Sequence, residues 1–114
     1  MDVAEVITIV QDHVEAYNAR DIDSTLGYYS DDAVIVDGNG AAIVEGRAGI
    51  RAVYERVFAE NPELHAEVPT AFHVGDWVAI HSIVQNWNGS GQQMQWIEVY
   101  KVVKGKIKRV QLFR

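Results

Sequence analysis

Short glycine-bearing connections divide the second half of this sequence into four extended segments, and this division constrains the fold more than any other feature. The segments cover about residues 64–73, 77–88, 92–103 and 107–113. The connections lie at Gly75 and Asp76, at Asn88 to Gly91, and at Lys104 to Lys106. Connections this short and this rich in glycine are typical of hairpins. We therefore predict antiparallel strands that follow one another across a sheet.

The first half contains helical patterns. Apolar residues recur at three- and four-residue steps between Val3 and Tyr17, which predicts an amphipathic helix. Asp21 is typical of the N-cap of a short second helix, predicted to carry Ile22, Leu26 and Tyr29. A β-branched strand at 33–37, an extended piece to Gly46 and a third helix at about 47–60 follow. This order predicts a single α+β domain over residues 1–114, with a curved, mostly antiparallel sheet wrapped around three helices.

The amino-acid composition excludes several kinds of site. The chain has no cysteine, so disulfides, iron–sulfur clusters, thiol nucleophiles and cysteine-based zinc sites are ruled out. Its histidines lack metal-ligand spacing, and it has no phosphate-binding or dinucleotide-binding motif, so we expect no metal and no cofactor. Without a membrane-length apolar stretch or a signal-peptide pattern, we expect a cytoplasmic protein with no membrane partner.

Charge is distributed unevenly along the chain. All sixteen acidic residues lie within 1–98, whereas six of the ten basic residues lie within 101–114. The lysines of this last segment alternate with other residues, as on the solvent-facing side of a strand, where they also discourage edge-to-edge pairing. The basic patch is too small to hold a nucleic acid through its phosphates. We therefore expect no nucleic-acid partner.

His13 and Asp37 are polar residues on apolar faces. His13 lies on the stripe of the first helix, three residues after Val10. It is either a core histidine with one hydrogen bond or a proton carrier that faces a cavity, because imidazole titrates near neutrality. Asp37 ends a strand on the face of Ala33 and Ile35. It is either a turn residue before Gly38 or an inward-facing carboxylate.

Glu98 departs most clearly from the pattern. It shares one strand face with Trp96 and Tyr100, and the opposite face of this strand is apolar as well. Burial in apolar surroundings raises the pKa of a carboxyl group, which can then stay protonated and donate a hydrogen bond. His81 shares a face with Ala79 and Ile83, so it is either a packed histidine or a residue that lines a cavity.

Three segments resemble the SnoaL-like and ketosteroid isomerase-like members of the NTF2-like superfamily. They are VQDHVEAYNARDIDSTLGYYSDDAVIVDG, EGRAGIRAVYERVF and WIEVYKVVKGKIKRVQLF. The resemblance covers nearly the whole chain. It implies a cystatin-like cone, in which a strongly bent sheet closes on three helices around a pocket. It also implies a homodimer formed through the outer face of the sheet.

The resemblance assigns roles to the three polar residues. Asp37 stands where the isomerases have a catalytic base, and Glu98 stands where they have a protonated acid. His13 stands where they have the tyrosine that holds the oxyanion, and a neutral imidazole can also donate a hydrogen bond there. Tyr29 and Tyr54 match tyrosines that support this group. The remaining residues expected to line the pocket are Tyr17, Val53, His81, Trp96 and Tyr100.

Two functions and a structural role follow as hypotheses. The first is a cofactor-independent proton-transfer enzyme, an isomerase or a related lyase such as a cyclase or dehydratase, acting on a small hydrophobic carbonyl compound. In this enzyme Asp37 is the base, and His13 and Glu98 polarise the oxygen. The second is a non-catalytic ligand-binding or protein-association domain. The third is a dimeric scaffold with a filled core. If Asp37 only caps its turn, binding or a structural role is favoured over catalysis.

Overall fold

The computed structural model describes residues 3–85 and 93–113. In chain order the elements are α1 (Val3–Asn18), α2 (Ile22–Gly27), β1 (Tyr29–Val36), β2 (Ala42–Glu45), α3 (Arg47–Glu60), β3 (His65–Val74), β4 (Trp77–Gln85), β5 (Gln93–Val103) and β6 (Lys106–Phe113). The predicted order of helices and strands is confirmed. The predicted connection at Asn88 to Gly91 lies outside the described residues.

The strands form one six-stranded sheet in the order β2-β1-β6-β5-β4-β3. Neighbouring strands are antiparallel except β1 and β6, which run parallel. Register shifts interrupt the pairing between Glu67 and Thr70 and between Lys101 and Val102. Such irregularities bend a strand and increase its twist. The predicted mostly antiparallel, curved sheet is therefore confirmed.

One face of the sheet, here called the inner face, packs against the helices. On β4 the even-numbered residues Val78 to Val84 are buried, whereas the odd-numbered residues from Trp77 onward are more exposed. On β5 the same alternation turns Trp96, Glu98 and Tyr100 inward. The opposite face is called the outer face.

The core combines this inner face with the apolar sides of α1 and α3. Its buried residues include Val6 and Val10 of α1 and Ile50 and Tyr54 of α3. These positions recur at three- or four-residue steps, which keeps them on one side of each helix. Because His13 lies on the same side of α1 as Val6 and Val10, it is carried into the core.

Two polar contacts fix the end of α1 against the sheet. The Asn18 amide donates to the Ala66 carbonyl and accepts from the Ala66 N–H, both at 2.8 Å. The Arg20 guanidinium donates to the carbonyls of Asn61, Pro62 and Leu64. The Asn18 bonds satisfy the backbone of Ala66 on the side of β3 that has no neighbouring strand. The Arg20 bonds satisfy carbonyls of the connection that precedes β3.

Tyr29 differs from its predicted element. The predicted N-cap is confirmed, since the Asp21 side chain accepts from the Ser24 N–H at 3.1 Å. However, α2 ends at Gly27, and Tyr29 is the first residue of β1. There it pairs in parallel with Ile107 of β6. The helical spacing of Tyr29 was therefore misleading, because pairing with a strand distant in sequence determines its conformation.

Among the described residues, no helix is both long and apolar enough to span a membrane.

Candidate functional site

A cavity of about 140 Å³ lies between the inner face of the sheet and the helices α1 and α3. Most of its wall is aliphatic or aromatic. The lining residues that carry a polar atom in the side chain are His13, Tyr17, Tyr29, Tyr54, Trp96, Glu98 and Tyr100. A small apolar cavity with a few convergent polar groups is the usual form of a ligand site.

Three side chains from three elements form a hydrogen-bonded ring at the cavity wall. The Nε2 atom of His13 lies 3.0 Å from the Tyr29 hydroxyl and 3.2 Å from the Tyr54 hydroxyl. The two hydroxyl oxygens are 2.7 Å apart. We call these three groups the polar triangle. All three residues are buried, so their hydrogen bonds compete little with water.

The protons of the polar triangle can be counted. The Nδ1 atom of His13 is buried and has no hydrogen-bond partner among the residues that the structure describes. A proton on Nδ1 would therefore be an orphaned donor, which costs about 1–3 kcal/mol. Buried donors without an acceptor are rarer than buried acceptors without a donor. With the proton on Nε2 instead, the donor left without a protein acceptor is a tyrosine hydroxyl that lines the cavity. A ligand oxygen can accept from that hydroxyl, so we infer the Nε2–H form.

The position of this proton leaves one tyrosine hydroxyl available to a ligand. The Nε2–H group of His13 donates to a tyrosine oxygen, and one hydroxyl donates to the other across the 2.7 Å contact. The second hydroxyl proton then has no acceptor within the triangle, because Nε2 already carries a proton. Tyr29 and Tyr54 both line the cavity. The triangle can therefore donate one hydrogen bond to an oxygen atom in the cavity.

Burial keeps every member of the polar triangle uncharged near neutral pH. His13 is only 4% exposed, and desolvation lowers its pKa to about 3. Burial also raises the pKa of Tyr29 and Tyr54 above the ordinary value of a phenol. The charge of Glu98 raises both tyrosine pKa values further. The triangle is thus a fixed set of neutral dipoles.

Glu98 supplies the carboxyl group of the cavity. Its Oε2 atom accepts from the Trp96 indole N–H at 2.6 Å, and its Oε1 atom accepts from the Tyr100 hydroxyl at 2.5 Å. The expectation that Glu98 faces the same side as Trp96 and Tyr100 agrees with this placement. Its expected role as a hydrogen-bond donor stays a prediction.

Asp37 lies apart from this cavity. Its Oδ1 atom accepts from the backbone N–H groups of Asn39 and Ala41, at 2.8 and 3.0 Å. Asp37 is not among the residues that line the cavity. The prediction that its carboxylate faces the pocket is therefore not met, because the turn after β1 supplies donors to the side chain that begins it. Of the two interpretations of Asp37, the structure therefore agrees with a turn residue.

His81 lies on the outer face of the sheet. Its Nε2 atom is 2.7 Å from the Gln95 side-chain oxygen, on a neighbouring strand. The buried side of β4 carries the even-numbered residues, so the expectation that His81 lines the cavity is wrong. Each face of this strand carries several apolar residues, and alternation by itself does not indicate which one meets the helices.

The other expected pocket residues are brought together. Tyr17, Tyr29, Val53, Tyr54, Trp96 and Tyr100 line the cavity with His13 and Glu98. Sequence reasoning missed the aliphatic lining residues Val14, Ile35, Ile43, Val44, Val57, Ala66, Val84, Val110 and Leu112. The helical spacing of Val57 from Val53 and Tyr54 was a signal for one of them. The strand residues gave no such signal, because their face is decided by packing.

Among residues 3–85 and 93–113, no group of three His, Asp or Glu side chains is close enough to hold a metal ion.

The sequence matches one family of protein domains. A profile of the SnoaL-like domain matches residues 10–110. None of the curated proteins with described functions is significantly similar in sequence to this chain.

Several solved structures share the fold. A cystatin-fold protein from Novosphingobium aromaticivorans is 29% identical with a TM-score of 0.87, covering 96% of this chain and 97% of that chain. An NTF2-like protein from Cytophaga hutchinsonii is 17% identical with a TM-score of 0.78, covering 94% and 87%. A protein with a ketosteroid isomerase-like fold from Catenulispora acidiphila, solved with trimethylamine, is 20% identical with a TM-score of 0.77, covering 93% and 84%. The predicted NTF2-like fold is thereby confirmed.

Proposed function

This chain belongs to the SnoaL-like domain family, and from that premise we propose that it binds a small, largely apolar carbonyl or phenol compound in the cavity. On this ligand it acts as a cofactor-independent proton-transfer enzyme, such as an isomerase, cyclase or dehydratase. The observation that carries the proposal is the polar triangle, in which three hydrogen-bonded, neutral side chains lie at the wall of an otherwise mostly apolar space. In the inferred Nε2–H form, one of its hydroxyl groups can donate to a ligand oxygen.

The volume of the cavity supports a ligand of about one ring. A dry apolar cavity of about 150 Å³ holds a benzene molecule, and this cavity measures about 140 Å³. Sites for drug-sized ligands measure about 300–1,000 Å³. A tetracyclic steroid would therefore need the walls to move, whereas a phenol or a cyclic ketone would not.

The position of the ligand oxygen follows from the polar triangle. A carbonyl oxygen that accepts the free hydroxyl proton becomes more negative when the ligand enolises, so the hydrogen bond strengthens as the reaction proceeds. Because the donors are buried and neutral, they need little reorganisation when that charge develops. This differs from the expectation that His13 contacts the oxygen directly, since here a tyrosine hydroxyl is the donor and His13 positions it.

Non-catalytic ligand binding is the second candidate. The placement of Asp37 favours it, because a carboxylate held by the N–H groups of Asn39 and Ala41 is poorly placed to take a proton from a ligand in the cavity. The same cavity and the same polar triangle would then anchor a ligand without transforming it.

Titration with phenol and with cyclohexanone, followed by NMR shifts of backbone amides, tests the proposal. We expect both to bind, with shifts at residues around the cavity. Tyr54→Phe removes one hydroxyl of the triangle and should weaken binding roughly fivefold, equivalent to about 1 kcal/mol. Tyr28→Phe removes the same atom from a tyrosine that does not line the cavity, so its affinity should match the wild type. Equal losses in both variants, or no binding by the wild type, would contradict the proposal.

A further inference from the structure

We propose that Glu98 is the catalytic base of this cavity, in place of Asp37, and that it removes a proton from carbon and returns it. This inference rests on the proposed function, because it requires an enolisable ligand in the cavity. Among the described residues that line the cavity, Glu98 is the only one with a carboxyl group. A cofactor-free proton transfer from carbon needs such a group within reach of the ligand.

The contacts of Glu98 suit a base. Trp96 and Tyr100 each donate to a different carboxylate oxygen, which fixes the plane of the carboxylate on the inner face. A carboxylate offers about four acceptor positions, so it can take up a substrate proton while both donors hold it. Alternation on β5 keeps all three side chains on one face, so the strand itself provides the alignment.

Tyr100 connects the base to the polar triangle. Its ring lies edge-on to the His13 ring, with centroids 5.7 Å apart, and its hydroxyl is bonded to Glu98. The side chain of Tyr100 therefore lies between the two polar ends of the cavity, with its ring against His13 and its hydroxyl on Glu98. A ligand ring whose oxygen accepts from the triangle then brings its α-carbon towards Glu98, which is the arrangement that enolisation requires.

For a β,γ-unsaturated ketone the proposed step is balanced. The Glu98 carboxylate takes the proton from the carbon between the carbonyl and the double bond. The electron pair of that C–H bond moves to give a dienolate, whose oxygen accepts the triangle hydroxyl hydrogen bond. Protonated Glu98 then returns the proton to the γ-carbon, and the product is the conjugated ketone. No oxidant, reductant or second substrate is consumed.

Isomerisation of cyclohex-3-enone to cyclohex-2-enone tests this assignment, since the conjugated product is followed by its ultraviolet absorbance. Glu98→Gln keeps the shape of the side chain and should lower kcat/KM at least 100-fold, as expected for loss of a general base. Glu98→Asp retains a carboxylate one methylene shorter and should keep measurable turnover. Asp37→Asn retains the side-chain oxygen that accepts in the turn, and its turnover should stay within about threefold of the wild type, since Asp37 is not among the residues that line the cavity.

Phenol binding separates failure of this inference from failure of the proposed function. If Glu98→Gln binds phenol but no longer isomerises cyclohex-3-enone, the assignment stands. If the wild type binds phenol but shows no turnover, or if Asp37→Asn loses turnover while Glu98→Gln keeps it, the assignment is overturned. If the wild type binds neither compound, the proposed function itself fails, and the inference fails with it.

Discussion

His13 shows how a single residue can be held in an unfavourable setting by its neighbours. An imidazole buried among Val10, Tyr29 and Tyr54 keeps one hydrogen-bonded nitrogen and one that has no partner in the described part of the chain. In the inferred Nε2–H form, the imidazole donates to one tyrosine hydroxyl, and that arrangement offsets the cost of the unpaired Nδ1 atom by leaving a hydroxyl proton for the cavity. A residue that only filled the core would be apolar here. This pattern is typical of a site in which stability is given up for a defined hydrogen-bond geometry.

The same burial predicts a pH dependence of stability. Because the folded pKa of His13 is about 3 and its ordinary value is 6.5, the unfolded chain binds more protons between these values. The free energy of unfolding should therefore fall as pH drops below about 6.5, by roughly 1.4 kcal/mol per pH unit well inside this window. Urea unfolding at pH 7 and pH 5.5 measures the loss attributable to His13, which we expect to be about 1 kcal/mol.

His13→Gln is the matched control for this measurement. Glutamine keeps a polar side chain but has no titrating group, so the other histidines contribute equally in both proteins. The variant should lose about 1 kcal/mol less than the wild type between the two pH values. Equal losses would show that His13 is protonated as easily in the folded protein as in the unfolded chain.

At the scale of elements, the contact between the end of α1 and β3 holds one wall of the cavity in place. Asn18 ends α1, and its amide forms a two-point contact with the backbone of Ala66 in the edge strand β3. Ala66 itself lines the cavity. A side chain near the end of α1 thus replaces the missing strand neighbour of β3 and fixes one wall of the site.

Asn18→Asp tests this junction. The substitution replaces the amide donor by an oxygen that faces the Ala66 carbonyl oxygen, so one hydrogen bond is lost and two acceptors oppose each other. We expect a loss of about 1–3 kcal/mol in the free energy of unfolding, measured by urea denaturation. Gln11→Glu makes the same chemical change at an exposed position of α1 and should stay within about 0.5 kcal/mol of the wild type. A similar loss of stability in both variants would show that the added negative charge causes it, and not the lost contact with Ala66.

At the scale of the whole molecule, the outer face of the sheet carries several exposed apolar side chains. Phe72 is 59% exposed, and Ile97 is 51% exposed. Across the strands the same face carries a row that runs from acidic Glu45 through Val34 to basic Arg109 and Lys101. In a two-fold dimer the same patch of each copy forms the interface, and a residue at one end of the patch meets a residue from the other end of the partner's patch. This face therefore suits a second copy of the chain, since the basic end of one row can meet the acidic end of the other.

We accordingly expect a homodimer that Ile97→Lys dissociates. The added lysine would place a buried charge in the apolar part of the interface, opposite the same substitution or its neighbours in the other copy. Light scattering after size exclusion at micromolar concentration should give the dimer mass for the wild type and the monomer mass for the variant. Gln11→Lys adds the same charge on α1 and should remain a dimer. A monomeric wild type, or a dimer that survives Ile97→Lys, would refute this interface.

The sequence by itself determined the order of elements, the hairpins and the groups of residues that share a face. Periodicity placed His13 with Val10, and placed Glu98 with Trp96 and Tyr100, because side-chain direction repeats every 3.6 residues in a helix and every two in a strand. Turn chemistry indicated Asp21 as an N-cap, and it offered the turn alternative for Asp37. These are local properties of the chain.

Only the tertiary structure decided which of two apolar strand faces meets the helices. It therefore excluded His81 from the cavity and assigned Tyr29 to a strand. It also decided that Asp37 is held by its own turn while Glu98 faces the cavity as an acceptor. These outcomes depend on contacts between residues far apart in sequence, such as the polar triangle. Alternation and helical spacing have the same form whichever face is buried, so packing alone can choose between them.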